Sequence, residues 1–282
     1  MAQTIAFWGA TILYAVSILM MVAGLVFARE KASNVAWILT AAAFAAHTAA
    51  IIARWAAAGH LPYIEDYENI LMGTWVVVAL YLGLGSKWRQ LRAVGVGVLP
   101  FVLLSLGVAA TLPSAVSPVT APYKSIWLGV HVTFAWATYA AYTICASLAL
   151  LQLMKMRPAK KHPEWLARVP EGRILEERTV RFVGYGFLVN TVMIASGAIW
   201  AHDLWGAYWS WDPVETWSLL TWLAYGFYLH AHFTLGWRGK RLAWTAILAL
   251  FGVMMSFWGV QFLPSSYHLF RNVGGSAPLV RP

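Results

Sequence analysis

Long apolar runs separated by short polar segments follow one another along the whole chain. About 20 apolar residues cross the hydrocarbon core of a bilayer as a helix, and the runs at 5–27, 35–58, 70–84, 94–112, 128–154, 183–201, 217–233 and 242–262 give eight of them. The third run is short and needs its flanks in order to span. The pattern predicts an all-α, polytopic membrane protein, a single integral membrane domain over 1–282 with both termini on one side. No basic segment or small-residue cleavage site accompanies the first run, so it reads as a retained helix and not as a signal peptide. No repeat or domain-separating linker is visible.

Composition agrees: 60% of the residues are hydrophobic and 11% charged, with a mean hydropathy of +0.63. A soluble domain carries about 25% charged residues, so a water-soluble enzyme and a disordered segment are both excluded. The one cysteine, Cys145, lies in an apolar run. It excludes a disulfide framework, a CxxC redox pair and covalent c-type heme attachment to this chain.

The net charge of +9 is distributed by topology. Sixteen of the 20 basic residues fall in alternate connections, from Arg29 and Lys31 through Lys87, Arg89 and Arg92, the segment 155–181, and Arg238, Lys240 and Arg241. Lys124, Arg271 and Arg281 are on the opposite side, and Arg54 is near the end of the second span. The positive-inside rule then places both termini outside the cytoplasm. Segment 155–181, with Pro158, Pro163 and Pro170, reads as a cytoplasmic loop that anchors this orientation and has room for a short surface helix. The basic charge needs no nucleic acid.

Eight histidines remain to be sorted, since imidazole is costly in lipid when unpaired and is a common ligand of heme iron and other transition metals. His60, His131, His202 and His268 fall at the external face, His47, His230 and His232 within helices, and His162 in the cytoplasmic loop. An intramembrane histidine has two readings, a ligand or an interhelical hydrogen bond. Arg54 also has two. Seven residues after His47, it lies on the same helix face about 10 Å away along the axis, where it either meets an anionic group of a bound ligand or snorkels to the interface.

The external loop 202–216 is dense in indoles: Trp205, Trp209 and Trp211, with Tyr208 and Gly206 between them and Trp217 directly after it. An interfacial aromatic belt is one explanation. Clustering in a single loop favours another, a surface of flat faces and N–H or O–H donors for a large planar ligand. Asp212, Pro213 and Glu215 have the spacing of a capping box that starts the seventh span, and capping is read as the main role of Asp212.

The stretch WGAYWSWDPVETWSLLTWLAYGFYLH resembles the tryptophan-rich WWD signature of heme-handling membrane proteins, in the form found in CcsA (ResC)-type cytochrome c biogenesis proteins. The segment GHLPYIEDYENILMGTW at 59–75 is similar to a second motif of that family. The resemblance implies a heme-handling or heme-exporting subunit of a cytochrome c synthase. Its cofactor would be heme b, its partners a CcsB (ResB)-type membrane protein and an apocytochrome c with CxxCH.

Residue by residue, the resemblance implies external iron ligands at His131 and His268 beside Trp205, Trp209, Trp211 and Asp212. It implies an inner pair at His47 and His230; with His47 on the iron, the shared helix face would let Arg54 meet a heme propionate. Tyr228-Leu229-His230 matches the family's Tyr-Leu-His ending and selects His230 over His232. By the span boundaries, His47 and His230 differ in depth by roughly 10 Å. Tyr67 and Glu68 fall in the family's Tyr-Glu pair and are expected to order the external loop. The chain departs from the family at Val214, where lysine is usual, and in its ending, SSYHLFRNVG. The implied location is a bacterial inner membrane or a thylakoid-type membrane, with the active site on the outer face. The competing readings are CcmC-type heme delivery to a heme chaperone, an electron-transferring b-type cytochrome subunit, and a non-heme transporter.

Overall fold

The computed structural model describes residues 1–27, 29–116, 123–157, 166–167 and 169–262. His162 and His268 lie outside the described residues. Eight α-helices account for almost all of what is described, and no strand occurs among the described residues: α1 Ala2–Val26, α2 Glu30–Ala58, α3 Asp66–Lys87, α4 Gly95–Thr111, α5 Ile126–Lys155, α6 Gly172–Trp205, α7 Pro213–Phe233 and α8 Lys240–Phe257. Each matches one apolar run of the sequence. The short third run becomes a spanning helix because its polar flanks are helical too.

Seven of the eight are long and apolar enough to cross a membrane, α4 together with the helical turn Arg89–Val94 that precedes it. In α7, Trp217, Trp222, Tyr225, Tyr228, His230 and His232 lower the apolarity of a 21-residue helix that is nevertheless long enough. This is an integral membrane fold.

Two boundaries differ from the sequence expectation. The polar segment 155–181 holds no separate surface helix in its second half; residues from Gly172 onward are already the first turns of α6. Its charges are compatible with helix because Arg173 and Glu177 pair at one-turn spacing, 2.7 Å apart. The aromatic loop is shorter than 202–216, since α6 continues to Trp205 and ends at Gly206, whose φ of +76° is the left-handed cap that glycine adopts without strain.

Successive helices run antiparallel, giving the bundle a tryptophan end and a basic end. Helix α5 is the centre, packed against α3, α4, α6 and α8. Its stretch 135–149 is rich in Ala, Ser, Thr and Cys, and small side chains allow the backbone-close packing that holds helices together in lipid. Phe257 at the end of α8 reaches the same core: a Cβ on Gly73 of α3 would lie 2.5 Å from its ring, and that ring lies 4.5 Å from the ring of Tyr139. Helices α1 and α2 form a hairpin tied by the Ser17 hydroxyl, which donates to the Ala36 carbonyl at 2.7 Å.

Each end of the bundle has a polar clasp. At the tryptophan end, Arg54 and Glu68 form an ion pair at 2.6 Å with both side chains 0% exposed. At the basic end, Glu176 accepts from Gln152 Nε2 and from the Gly239 N–H, both at 2.7 Å, joining α5, α6 and the turn before α8.

Candidate functional site at the tryptophan end

The start of α7 is fixed by its own sequence. The Asp212 carboxylate accepts from the Val214 N–H at 2.8 Å, Pro213 occupies the first helical position, and Glu215 reaches back to the Asp212 N–H at 3.3 Å. The capping box read from the sequence is therefore present. Glu215 does more than cap, because it also accepts from the Ser210 N–H at 2.7 Å and the Ser210 hydroxyl at 3.2 Å. One carboxylate thus pins the aromatic loop to the helix that follows it.

That clamp holds Trp211 at φ +59°, a conformation that costs a non-glycine residue about 1–2 kcal/mol, with its side chain 70% exposed. Strain of this kind persists where surrounding contacts over-determine it and is frequent at functional sites.

The three tryptophans take different places. Trp205 packs inward with Trp200, Leu128 and Val132, its ring edge-on to Trp200 at 5.4 Å. Trp211 is presented outward, edge-on to Trp209 at 5.7 Å. Trp209 lines a cleft together with His131, Gly197, Tyr208, Glu215 and Ser218. Its indole N–H is buried there without an acceptor among the described residues. A buried donor left unpaired is costly, so an acceptor supplied by a ligand would complete the cleft.

His131 lies five residues into α5, about 8 Å along the axis from its start. Its Nδ1 is 2.8 Å from the Met193 carbonyl on α6. A carbonyl only accepts, so Nδ1 carries the proton and the ring's lone pair is on Nε2. This is the arrangement by which a carbonyl orients an imidazole that ligates a metal. The seat exists because α6 has glycine at 197: a Cβ there would lie 2.5 Å from His131 Nδ1. Sequence reasoning passed over Met193 and Gly197. The signal available was the small-residue run Ala195-Ser196-Gly197-Ala198 in the middle of an apolar span, which marks a close helix approach.

The remaining candidates are placed as follows. Arg54 is turned into the protein, donating from Nε to Glu68 and from its terminal nitrogens to the carbonyls of Ser114 and Ala115. It is not a snorkelling cation, since a fully buried side chain reaches no interface. Glu68 also accepts from the N–H groups of Ile64 and Glu65, so it orders the loop before α3, as its motif suggested. Nearby, the Tyr63 hydroxyl donates to the Tyr123 carbonyl at 3.2 Å. Burial, with Glu65 and Asp66 adding to it, pushes the Tyr123 phenol up from its ordinary range.

His47 is 1% exposed, its Nε2 3.0 Å from the Leu71 carbonyl on α3 and its Nδ1 3.4 Å from the Tyr14 hydroxyl on α1. His230 is exposed on α7. Because α2 packs on α1 and α3, whereas α7 packs on α6 and α8, this arrangement does not bring His47 and His230 together. His202 stacks on Tyr208 at 4.2 Å and lies 3.9 Å from Asp203, a local contact. His232 lies 2.9 Å from Arg238. His60 faces the Leu61 carbonyl at 2.8 Å.

Comparison with known proteins matches this architecture. The family model described as cytochrome c assembly protein covers residues 63–268. Cytochrome c biogenesis protein CcsA of Synechococcus sp. strain JA-3-3Ab is 33% identical, across 79% of this chain and 81% of its own length. The CcsA of Guillardia theta is 32% identical, across 77% of this chain and 79% of its own. Among solved structures, cytochrome c heme lyase CcmF superposes with a TM-score of 0.72 at 18% identity, over 91% of this chain. The chain spans 46% of that larger protein, and the likeness is one of fold. A profile match over most of the chain, and relatives above 30% identity over more than three quarters of it, lead to one conclusion: the chain belongs to the cytochrome c assembly protein family and is of the CcsA type.

Proposed function

We propose that this chain binds heme as cargo at the tryptophan end and presents it, on the outer face of the membrane, for covalent attachment to the CxxCH of an apocytochrome c. It would act as the membrane subunit of a cytochrome c synthase, beside a CcsB (ResB)-type partner. The observation that carries the reading is the cleft shared by His131 and Trp209. An imidazole with its tautomer fixed by Met193 and a buried indole N–H that has no acceptor among the described residues line one opening. These residues fit heme b, whose iron takes imidazole nitrogen and whose propionates take N–H donors.

His131 would hold the iron on one side, and His268, outside the described residues, is proposed for the other. With both imidazoles on the iron, the cargo would be held in a closed site that does not activate oxygen until it is handed over. Trp209 donates to a carboxylate, and Trp211, held outward by the Glu215 clamp, offers a flat face toward the incoming chain. The vinyl groups supply the reactivity toward the cytochrome's thiols; the protein contributes ligation, orientation and electrostatics.

The basic end faces the cytoplasm in this proposal, by the positive-inside rule, in a bacterial inner membrane or a thylakoid-type membrane. An inner heme site at His47 and His230 requires a second arrangement of the bundle, because His47 must first release Tyr14 and α7 must approach α2. The buried Arg54 would then reach a propionate only by leaving Glu68.

The test is a reduced-minus-oxidised absorption spectrum of the protein purified in mild detergent, with heme quantified on the same sample. A low-spin b-type spectrum that weakens in His131→Ala and in His268→Ala is expected. A protein that stays colourless after expression with excess heme and its partner would overturn the proposal, as would normal cytochrome c maturation by the doubly substituted protein at wild-type abundance.

A further inference from the structure

At the basic end, remote from His131 and Trp209, an open cleft of about 340 Å3 lies between α1, α2 and the turn Arg89–Val94. Its apolar wall is Met21, Leu25 and Trp37, and its polar wall includes Arg89, Arg92 and Asn34. Among the described residues, Glu30 is the one acidic side chain that lines it. The cleft is at the level where α1 ends and α2 begins, which for spanning helices is the boundary between hydrocarbon and water.

The two arginines are available in different ways. Arg92 donates from Nε to the Gly85 carbonyl at 3.2 Å, and its guanidinium carbon lies 4.4 Å over the Trp37 ring, which leaves the terminal nitrogens as the donors it can offer. Arg89 is exposed and makes no hydrogen bond or ion pair among the described residues. The cradle is built by close packing: a Cβ on Gly85 would run into the Trp37 ring, and one on Gly24 would lie 2.5 Å from the Ser33 hydroxyl. Charge asymmetry, an apolar wall and a position at the membrane boundary together define the occupant as an anionic amphiphile.

We infer that this cleft binds the phosphate headgroup of an anionic membrane phospholipid, with Arg89 and Arg92 on the phosphate, Asn34 on the glycerol backbone, and an acyl chain along Met21 and Leu25. Basic pockets between helices commonly recognise such headgroups. The bound lipid joins the α1–α2 hairpin to the turn before α4, a junction that the Glu176 clasp does not reach.

The experiment is native mass spectrometry of the detergent-purified full chain after exchange into phosphatidylglycerol or phosphatidylcholine. Phosphatidylglycerol should remain bound to the wild-type protein and phosphatidylcholine should not. Retention should fall about fivefold for each arginine removed, in Arg89→Gln and Arg92→Gln. Arg173→Gln, an exposed cation at the same end, should leave it unchanged. Arg89→Gln alone keeps the test valid if loss of the Gly85 contact prevents Arg92→Gln from folding. Equal retention of the two lipids, an Arg173→Gln effect as large as that of Arg89→Gln, or hemin displacing phosphatidylglycerol at equimolar concentration would each overturn the inference.

Discussion

His131 and His47 are each held by a backbone carbonyl on a neighbouring helix, Met193 at 2.8 Å and Leu71 at 3.0 Å. They differ in what surrounds the rest of the ring. His131 is half-buried and opens on a cleft roofed by an aromatic loop. His47 is enclosed by three helices and meets the Tyr14 hydroxyl. A carbonyl alone therefore does not mark a ligand. Under the proposed function, the same contact orients an imidazole toward a ligand in one place and satisfies a buried polar group in the other.

The largest effect should come from the clasp beside the His47 region. Arg54→Met leaves Glu68 buried without its cation, and breaking a buried pair in this way costs about 3–5 kcal/mol. Denaturation in detergent, followed with hydrogen exchange, should show the loss concentrated in α2 and α3 while the α5–α6 pair keeps its protection. Uniform loss of protection would mean that the two histidine regions are one cooperative unit and that the contrast between them has no energetic basis.

Next, His47→Leu should lower stability by about 1–3 kcal/mol, because it strips partners from buried polar groups. His131→Ala, at a half-buried position, should cost less than about 1 kcal/mol and act instead on heme content. If the two substitutions exchanged these outcomes, the assignment of roles would be reversed.

Gly197→Ala separates stability from binding by size. Alanine favours a helix interior over glycine by about 1 kcal/mol, yet its Cβ would meet His131 Nδ1 at 2.5 Å and push the ring from its seat. Heme retention should fall by about 10- to 100-fold, as when a ligand's orienting partner is lost, with stability changed by no more than about 2 kcal/mol, since the overpacking cost of about 1–3 kcal/mol is offset by the propensity gain. A parallel loss of both would show that Gly197 serves packing alone.

Tyr14→Phe is the smallest probe. It deletes the hydroxyl 3.4 Å from His47 Nδ1 and should cost about 0.5–1.5 kcal/mol. If His47 takes a ligand in another arrangement of the bundle, the same change should raise inner-site heme content, since a competing contact is gone.

The eight spans were legible because lipid demands about 20 apolar residues per crossing and the chain supplies them in separate runs. The α7 cap was legible because Asp212, Pro213 and Glu215 act within four residues of one another. Helix α6 was read too short because charged residues at one-turn spacing look like loop in composition yet support helix through Arg173 and Glu177. The motif at 59–75 pointed to Glu68 as an ordering residue, and the structure adds its partner, Arg54, 14 positions earlier.

What the sequence determined by itself is the local and the periodic: spans, caps, the aromatic density of one loop and the family whose motifs it carries. Tertiary structure decided which imidazole opens on a cleft, which tryptophan turns inward, and that Arg54 is spent on Glu68. Those outcomes depend on atoms contributed by different helices, such as the Met193 carbonyl and the missing Cβ of Gly197, and spacing along one chain does not encode a contact made across two.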